Sequence, residues 1–451
     1  MIFLMLLLLI GPADAGRTPP QLPSGWRIGM VVLDAVSGDT VLSRSPNELF
    51  RPASTMKIAT TILALRQLGP GYVYHTCLLA DTSSRTLYLR GSGAPLLSTE
   101  DVSRAAIETA CALPGTPGGE DWDLVYDLTW FDEATHCPGW DILDWGRAYC
   151  PPITAICVGD NLVEIVVSTV DGLVEVMTYP PLPGLTVSSL LRISGETRIV
   201  SSVEGWENGP PVITLEGTVK QGEVLTLYRP FPGPPRELSL WLESELEAAG
   251  VPIGTVREGT APTDTLIAVS VATMYSQPLQ SLLTSMNKWS RNQLAEQVLR
   301  TVAAETLGLP GSTESGCDMM GLLLDSIAPG ADRPIVADGS GLSRLNRMSP
   351  AHLVALLQAG CSSLEWGPEF LASLPVNGRD GTLRTRMEDL PDGAFRGKTG
   401  TLNDTCTIAG LLRTASGGSL YVAIMLEIPS GQVYRARDWQ DSYLEYLYET
   451  Y

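Results

Sequence analysis

The pattern of apolar and polar positions near the start of the chain predicts a hairpin followed by a helix. The stretch WRIGMVVLDAVSGDTVLSRSP reads as a strand, a turn at residues 37–39 and a second strand. An apolar run follows Pro52 and predicts a helix to about Leu68, where Gly69 and Pro70 end it. This first segment therefore combines strands with a buried helix.

The other end of the chain repeats this combination. The stretch CTIAGLLRTASGGSLYVAIMLEIP predicts a hairpin that turns at residues 416–418. A terminal helix is expected over roughly 433–448. Both ends therefore supply elements that could share one sheet.

The middle of the chain has a different pattern. Residues 71 to about 264 are rich in Val, Thr, Gly and Pro, and contain strand-like runs such as LVEIVVSTV, PVITLEGTV and EVLTLYRP. This pattern indicates mostly β structure. The simplest arrangement is an α/β domain made from both termini, with a β-rich insertion between them.

Composition and charge narrow the range of partners. Hydrophobic residues make up 44% of the 451 residues, charged residues make up 18%, and the formal net charge is −20. The chain is therefore globular, and its charge disfavours nucleic acid and anionic lipid surfaces. Its eight cysteines are too few for a disulfide scaffold, although Cys137 and Cys150 flank a turn-rich segment and are the pair we favour. No Cys/His spacing indicates zinc, so we expect no metal and no organic cofactor.

The first residues resemble a secretory signal. An apolar run over residues 1–10 is too short to span a bilayer, and the small-x-small pattern at 13–15 predicts processing after Ala15. No Lys or Arg precedes the run, so an upstream start or a retained anchor stays open. The prediction is export, to the periplasm or another extracytoplasmic space.

Ser54 and Lys57 are the first residues that indicate chemistry. Positions i and i+3 lie on one face of a helix, so the hydroxyl and the amine would be within reach of each other. A lysine whose pKa falls through burial can act as the base for a serine nucleophile. The backbone N–H of Ser54, at the helix N-terminus, could help to bind a developing oxyanion.

The S-x-x-K spacing alone is a weak signal. About one or two matches are expected by chance in a chain of this length, and Ser285 with Lys288 is a second match. However, S-x-x-K at 54, S-x-N at 290 and K-T-G at 398 occur in the order typical of class A β-lactamases and penicillin-binding proteins. Each motif alone is a weak signal, but the three motifs together in this order are a strong one.

Each motif residue has an expected role. Ser290 would bridge Lys57 and Lys398 and pass a proton to the leaving amine. Asn292 would position the substrate amide and Lys57. The remaining motif residues would lie on a strand edging the site. They would bind a substrate carboxylate and supply the second oxyanion donor, and they are Lys398, Thr399, Gly400 and the N–H of Thr401.

These motifs and their surroundings resemble the D-alanyl-D-alanine carboxypeptidase/endopeptidase family, among the class C low-molecular-mass penicillin-binding proteins. The similar segments include PASTMK, GPGYVYHT, MNKWSRNQLAEQ, DGSGLSRLNRMSP, SLPVNGRDGTLRTRM and GKTGTLNDT. Members of that family carry a large insertion between S-x-x-K and S-x-N. Here 233 positions separate Lys57 from Ser290, which a compact β-lactamase could not accommodate.

The resemblance implies a fold and a domain division. The expected catalytic domain is a penicillin-binding, β-lactamase-like transpeptidase domain with an antiparallel sheet flanked by helices, from residues 16–70 and 265–451. One inserted domain would comprise 71–170 and 229–264, and a second β-rich domain 171–228. The oligomeric state stays open.

The resemblance also implies the function. Ser54 would form an acyl-enzyme with peptidoglycan stem peptides, as a serine D-Ala-D-Ala carboxypeptidase or DD-endopeptidase, and β-lactams would acylate it. By its match to a segment at the rim of relatives' active sites, Asp144 would contact the amine of the stem-peptide diamino acid, with Asp141 second. The ordinary alternative is that both are solvated loop carboxylates. Arg291 stands where relatives often carry a smaller residue.

Other interpretations are weaker. DGSGLSRLNR lacks the first glycine of a G-x-S-x-G elbow, so its turn and arginines are expected to shape the floor of the site. None of the three histidines lies near a motif, which argues against a Ser-His-Asp triad. The two rival functions are a β-lactamase-like hydrolase and a non-catalytic cell-wall-binding protein.

Overall fold

The computed structural model describes residues 18–113, 121–206, 209–308 and 310–451. The segment predicted as a signal, residues 1–15, lies outside this description. Within these ranges no helix has the length and apolar character needed to cross a bilayer.

Both ends of the chain combine strands with helices, and strands dominate the middle. The strands are β1 (Arg27–Asp34), β2 (Thr40–Arg44), β3 (His75–Asp81), β4 (Thr86–Arg90), β5 (Trp122–Asp127), β6 (Leu162–Val170), β7 (Leu173–Tyr179), β8 (Thr186–Ser194), β9 (Arg198–Glu204), β10 (Val212–Lys220), β11 (Val224–Pro230), β12 (Ile253–Glu258), β13 (Val269–Tyr275), β14 (Phe395–Leu402), β15 (Thr405–Arg413) and β16 (Ser419–Glu427). The α-helices are α1 (Met56–Gln67), α2 (Thr99–Ala112), α3 (Pro234–Ala248), α4 (Leu279–Trp289), α5 (Asn292–Leu307), α6 (Thr313–Ile327), α7 (Pro350–Ser362), α8 (Gly367–Ser373) and α9 (Val433–Thr450).

The two ends of the chain form one antiparallel sheet, in the order β14-β15-β16-β1-β2. Both predicted hairpins and the predicted terminal helix are present, and β1 pairs with β16 across the whole chain. Strand β1 is buried along most of its length because helices cover both faces of the sheet. On one face Val31 packs in the core that includes α7, and on the other Val32 packs in the core that includes α9.

Helix α1 lies inside the helical layer on one side of this sheet. It packs against α4, α5, α6 and α7, which explains why it is apolar around its whole circumference: residues 56–65 are all buried. A short 3-10 turn, Ala53–Thr55, precedes it. The first turn of α1 therefore starts where the helical layer meets the sheet.

The middle of the chain forms three further sheets. Their strand orders are β12-β5-β4-β3-β13, β8-β10-β9 and β11-β6-β7. The two three-stranded sheets contribute their apolar faces, with Ile165 and Ile213 as fully buried members, to one core. Together, these two sheets contain strands from both predicted inserted domains. The predicted domain boundaries therefore stay a prediction.

The β-rich prediction for the middle missed two long helices, α2 and α3, which pack against each other. Each carries a start signal in the sequence. Ser98 and Asp101 form a capping box at the start of α2. Pro234 and Pro235 begin α3, positions where proline fits because the first turn needs no N–H partners.

Candidate active site

Ser54 and Lys57 lie as the sequence predicted, one turn apart at the start of the buried helix. Ser54 belongs to the 3-10 turn, and the Lys57 Nζ lies 3.1 Å from the Ser54 Oγ. The turn is held tightly from outside. A Cβ on Gly341, whose φ is +82°, would lie 1.8 Å from the carbonyl oxygen of Ala53, so only glycine fits there.

The contacts of Lys57 fix what its amine can do. The Nζ contacts the Oδ1 of Asn292 at 2.7 Å and the carbonyl oxygen of Ser340 at 2.6 Å. Burial lowers the pKa of Lys57 to about 7, although the charges of Asp338 and Glu296 act to raise it. A neutral amine has two N–H donors and one lone pair. The two oxygens take the donors, so the lone pair is left for the hydroxyl of Ser54.

Two buried carboxylates that sequence reasoning missed hold the loop behind Lys57. Glu296 accepts hydrogen bonds from the backbone N–H groups of Gly339 (3.0 Å) and Ser340 (2.7 Å). Burial and the charge of Asp338 raise the pKa of Glu296 to about 7. The Asp338 carboxylate accepts hydrogen bonds from Trp140, Ser340, Gly341, Ser343 and Asn346.

The loop over residues 338–343 therefore forms the floor under Lys57, as its glycine-rich turn suggested. The arginines that follow this loop, Arg344 and Arg347, make their contacts outside this floor. Arg344 pairs with Asp404 at 2.7 Å, and Arg347 donates to backbone carbonyls. The sequence does carry a signal for this floor, a run of small residues between two polar side chains. A buried carboxylate can hold such a run by accepting hydrogen bonds from its backbone N–H groups.

Ser290 and Asn292 lie on either side of the break between α4 and α5. Ser290 ends α4 in the left-handed region, with φ of +57°, and its Oγ accepts from the Lys398 Nζ at 3.1 Å. The predicted bridge from Ser290 to Lys57 is only half formed, because the structure gives Ser290 a hydrogen bond to Lys398 and none to Lys57. Asn292 contacts Lys57 instead.

Arg291, between these two residues, joins the site to the inserted region. Its Nε lies 3.5 Å from the Oδ2 of Asp160, a buried residue in the turn before β6. Burial raises the pKa of Asp160, and the Arg291 charge acts to lower it. The middle residue of the motif therefore links the α4–α5 junction to the inserted region.

The K-T-G motif lies on a strand, as predicted, and this strand, β14, is at the edge of the sheet formed by the two ends of the chain. Lys398 is fully buried, and its Nζ donates to the carbonyl oxygen of Thr399 at 2.8 Å. Burial, with the nearby charge of Lys57, holds the pKa of Lys398 well below its usual range. The Thr399 hydroxyl bonds to Thr382, and the Thr401 hydroxyl accepts from Arg437.

The segment from residue 137 to 150 reaches this cluster through its backbone. The Tyr149 carbonyl accepts a hydrogen bond from the Asn292 Nδ2 at 2.8 Å. Asp144 accepts a hydrogen bond from the Tyr149 hydroxyl at 2.5 Å. One residue, Tyr149, therefore lies between Asp144 and the motif residue Asn292. Asp141 is engaged locally, since its Oδ1 accepts the backbone N–H of Leu143.

The favoured disulfide is not formed. Cys137 and Cys150 are both buried and both carry free thiols, and they pack in the small core beneath the 137–150 segment. The segment is held by this core and by hydrogen bonds instead of by a covalent bridge.

The second S-x-x-K match and the histidines lie apart from this chemistry. Lys288 pairs with Asp380 at 2.5 Å and donates to the Leu374 carbonyl, so its amine is not available to Ser285. His352 completes the cap of α7 with Ser349, and His136 stacks on Trp145 with ring centroids 4.0 Å apart.

Comparison with known proteins agrees with this geometry. The D-Ala-D-Ala carboxypeptidase 3 (S13) family matches residues 15–443. A D-alanyl-D-alanine carboxypeptidase of Actinomadura sp. (strain R39) is 30% identical over 434 residues, which cover 90% of this chain and 78% of that protein. A D-alanyl-D-alanine carboxypeptidase DacB of Haemophilus influenzae is 23% identical, covering 88% of this chain and 84% of that protein.

The fold is shared with solved structures. Penicillin binding protein 4 of Haemophilus influenzae matches with a TM-score of 0.78 at 20% identity, over 95% of this chain and 96% of that one. The same protein complexed with a β-lactam matches with a TM-score of 0.76 at 21% identity. The predicted penicillin-binding fold and the family resemblance are thereby confirmed.

Proposed function

This chain belongs to the D-Ala-D-Ala carboxypeptidase 3 (S13) family, and we propose that Ser54 is its nucleophile, acting on peptidoglycan stem peptides as a D-Ala-D-Ala carboxypeptidase and DD-endopeptidase. The observation that carries this assignment is the environment of Lys57. Its amine is buried, has a lowered pKa, and contacts two carbonyl-type oxygens and one serine hydroxyl. That arrangement makes a base for Ser54 without a histidine.

Acylation follows from these contacts. Lys57 takes the hydroxyl proton as the Ser54 Oγ attacks the carbonyl carbon of the scissile D-Ala–D-Ala bond. The backbone N–H groups of Ser54 and Thr401 stabilise the oxyanion. When the C–N bond breaks, Lys57 gives this proton to the leaving amine by way of Ser290, which is hydrogen-bonded to Lys398, and Lys57 is neutral again. Water then attacks the acyl-enzyme, Lys57 accepts its proton, and Ser54 regains its own.

The remaining motif residues bind the substrate. Lys398 and Thr399 hold the terminal carboxylate, an anion that would also offset the burial of the Lys398 ammonium. Asn292 orients the substrate amide, and Gly400 allows the peptide and Ser54 to approach closely. Asp144, which accepts a hydrogen bond from the Tyr149 hydroxyl, would contact the amine of a diamino acid.

The cell wall sets the location of this activity. A peptidase of stem peptides must meet its substrate outside the cytoplasm, in agreement with the small-x-small pattern ending at Ala15. β-Lactams would acylate Ser54 in place of the substrate and leave slowly.

Intact mass after incubation with benzylpenicillin tests the assignment. We expect a persistent penicilloyl adduct on the wild type and on Ser285→Ala, the serine of the second S-x-x-K match, and none on Ser54→Ala. Penicillin consumed with no adduct would make the protein a β-lactamase. Neither an adduct nor turnover would leave a non-catalytic wall-binding protein and exclude the mechanism above.

A further inference from the structure

Two arginines belong to segments that contact strand β9: Arg229 on β11 and Arg147 in the 137–150 segment. Arg229 lies on the half-buried inner face of β11, where alternate residues face the core. Its Nε donates to the Oγ of Ser201 on β9, and its Nη1 donates to the carbonyl oxygen of Tyr228 at 2.7 Å. Both partners are neutral, so the Arg229 charge is not compensated by them.

Arg147 approaches the same place from the 137–150 segment. The preceding residue, Gly146, packs on β9, because a Cβ there would lie 3.5 Å from the Cγ2 of Val203. The ring of Trp145 lies 5.8 Å from that of Trp206, which follows β9. Burial and then the charge of Arg147 lower the pKa of Arg229, so the two guanidinium groups repel each other.

Neither arginine has an acidic partner in the part of the chain that the structure describes: no Asp or Glu oxygen there lies within 4.0 Å of either group. This is unexpected in a protein with 50 acidic and 30 basic residues. Arg147 is exposed and stays hydrated, whereas the half-buried guanidinium of Arg229 loses hydration on folding and would ordinarily be paired. An anion between the two groups would relieve both the repulsion and the lost hydration.

The geometry points to an anion-binding site at Arg147 and Arg229 that takes a carboxylate of the peptide substrate, on the acyl side of the scissile bond. This inference rests on the proposed function. Arg147 is two residues from Tyr149, whose carbonyl contacts the motif residue Asn292, so Arg147 adjoins the cleft at its 137–150 rim.

The stem peptide carries a suitable group. A glutamate linked through its side chain keeps a free α-carboxylate. In an extended chain, a residue two positions upstream lies roughly 7–10 Å from the scissile bond. Guanidinium groups bind carboxylates through paired, charge-assisted hydrogen bonds. A polymeric phosphate is disfavoured because the net charge of −20 repels polyanions, whereas one carboxylate on a peptide held in the cleft meets little of that repulsion.

The test compares two stem peptides that differ in one group: a γ-linked glutamate with a free α-carboxylate, and the same peptide with a carboxamide there. For Arg147→Gln and Arg229→Gln we expect a roughly tenfold loss of kcat/KM, mainly through KM, on the carboxylate peptide alone. Arg229→Lys should recover part of it. Arg192→Gln, an exposed arginine on β8, is the matched control and should change neither peptide.

Equal losses on both peptides, or no loss on either, would overturn the inference. Affinity of the two peptides for Ser54→Ala, measured by calorimetry, separates this outcome from a failure of the proposed function. A preference for the carboxylate that disappears with Arg229→Gln supports the site even if no hydrolysis is found. If the variants lose affinity for a glycerol-phosphate oligomer instead, the ligand is a wall polymer and the carboxylate assignment is wrong.

Discussion

Gly400 packs directly against the backbone of Ser54: a Cβ at position 400 would lie 2.9 Å from the Ser54 nitrogen. It would also lie 2.2 Å from the Thr407 Oγ1 and 2.8 Å from the Pro52 carbonyl oxygen. The glycine of K-T-G therefore sets the distance between the edge strand and the nucleophile. Its role is to leave space, since its own atoms carry no chemistry.

Gly400→Ala should consequently move Ser54 away from Lys57. A misplacement of about 1 Å can cost on the order of 100-fold in rate, and we expect a loss of that size in acylation by benzylpenicillin. Gly71→Ala is the control, because a Cβ there has no neighbour within 4 Å. Acylation of Gly400→Ala at the wild-type rate would contradict this account.

Sequence motifs predicted the parts of the site whose spacing is local or whose order along the chain is diagnostic. The i,i+3 relation places Ser54 beside Lys57 in any helix, and K-T-G before an apolar run predicts a strand beside the site. Both terminal hairpins followed from alternation and turn residues. These features depend on short-range chemistry, which a sequence displays directly.

Contacts made by backbone groups and by distant segments could not be predicted in this way. The Tyr149 carbonyl on Asn292 involves a group that every residue carries, so no residue type identifies it. In the sequence, Glu296 does not differ from an ordinary helix carboxylate. Its role depends on the two backbone N–H groups that the 338–343 loop donates to it. The bridge expected from Ser290 to Lys57 depended on a distance that no motif encodes.

The Asp160–Arg291 pair should affect catalysis from outside the cleft. Arg291 directly precedes α5, between Ser290 and Asn292, and an ion pair of about 1 kcal/mol between its partly exposed guanidinium and the buried Asp160 would hold it. We expect Asp160→Asn to lower kcat by about fivefold, with a small change in KM. Asp171→Asn, an exposed aspartate also at positive φ, should leave kcat unchanged. A loss confined to thermal stability would show that the pair is only structural.

The lowered pKa of Lys57 predicts the pH dependence of acylation. In the proposed mechanism the neutral amine is the base, and below a pKa of about 7 the protonated form predominates. The rate of acylation by benzylpenicillin should therefore fall tenfold per pH unit below about 7 and level off above it. Lys57→Arg, which cannot lose its proton, should not acylate at any pH tested. A rate that stays constant from pH 5 to 9 would exclude Lys57 as the base.

Glu296→Gln should shift this profile to lower pH and destabilise the fold. The negative charge of Glu296 raises the pKa of Lys57, so its removal lets that pKa fall further. In addition, both Glu296 oxygens accept backbone N–H groups, and a glutamine would turn an N–H donor toward one of them, at a cost of about 1–3 kcal/mol. Thermal unfolding should detect the loss, and Glu247→Gln, on the exposed side of α3, should show neither effect. An unchanged profile would mean that Glu296 is protonated at neutral pH and does not act on Lys57 through its charge.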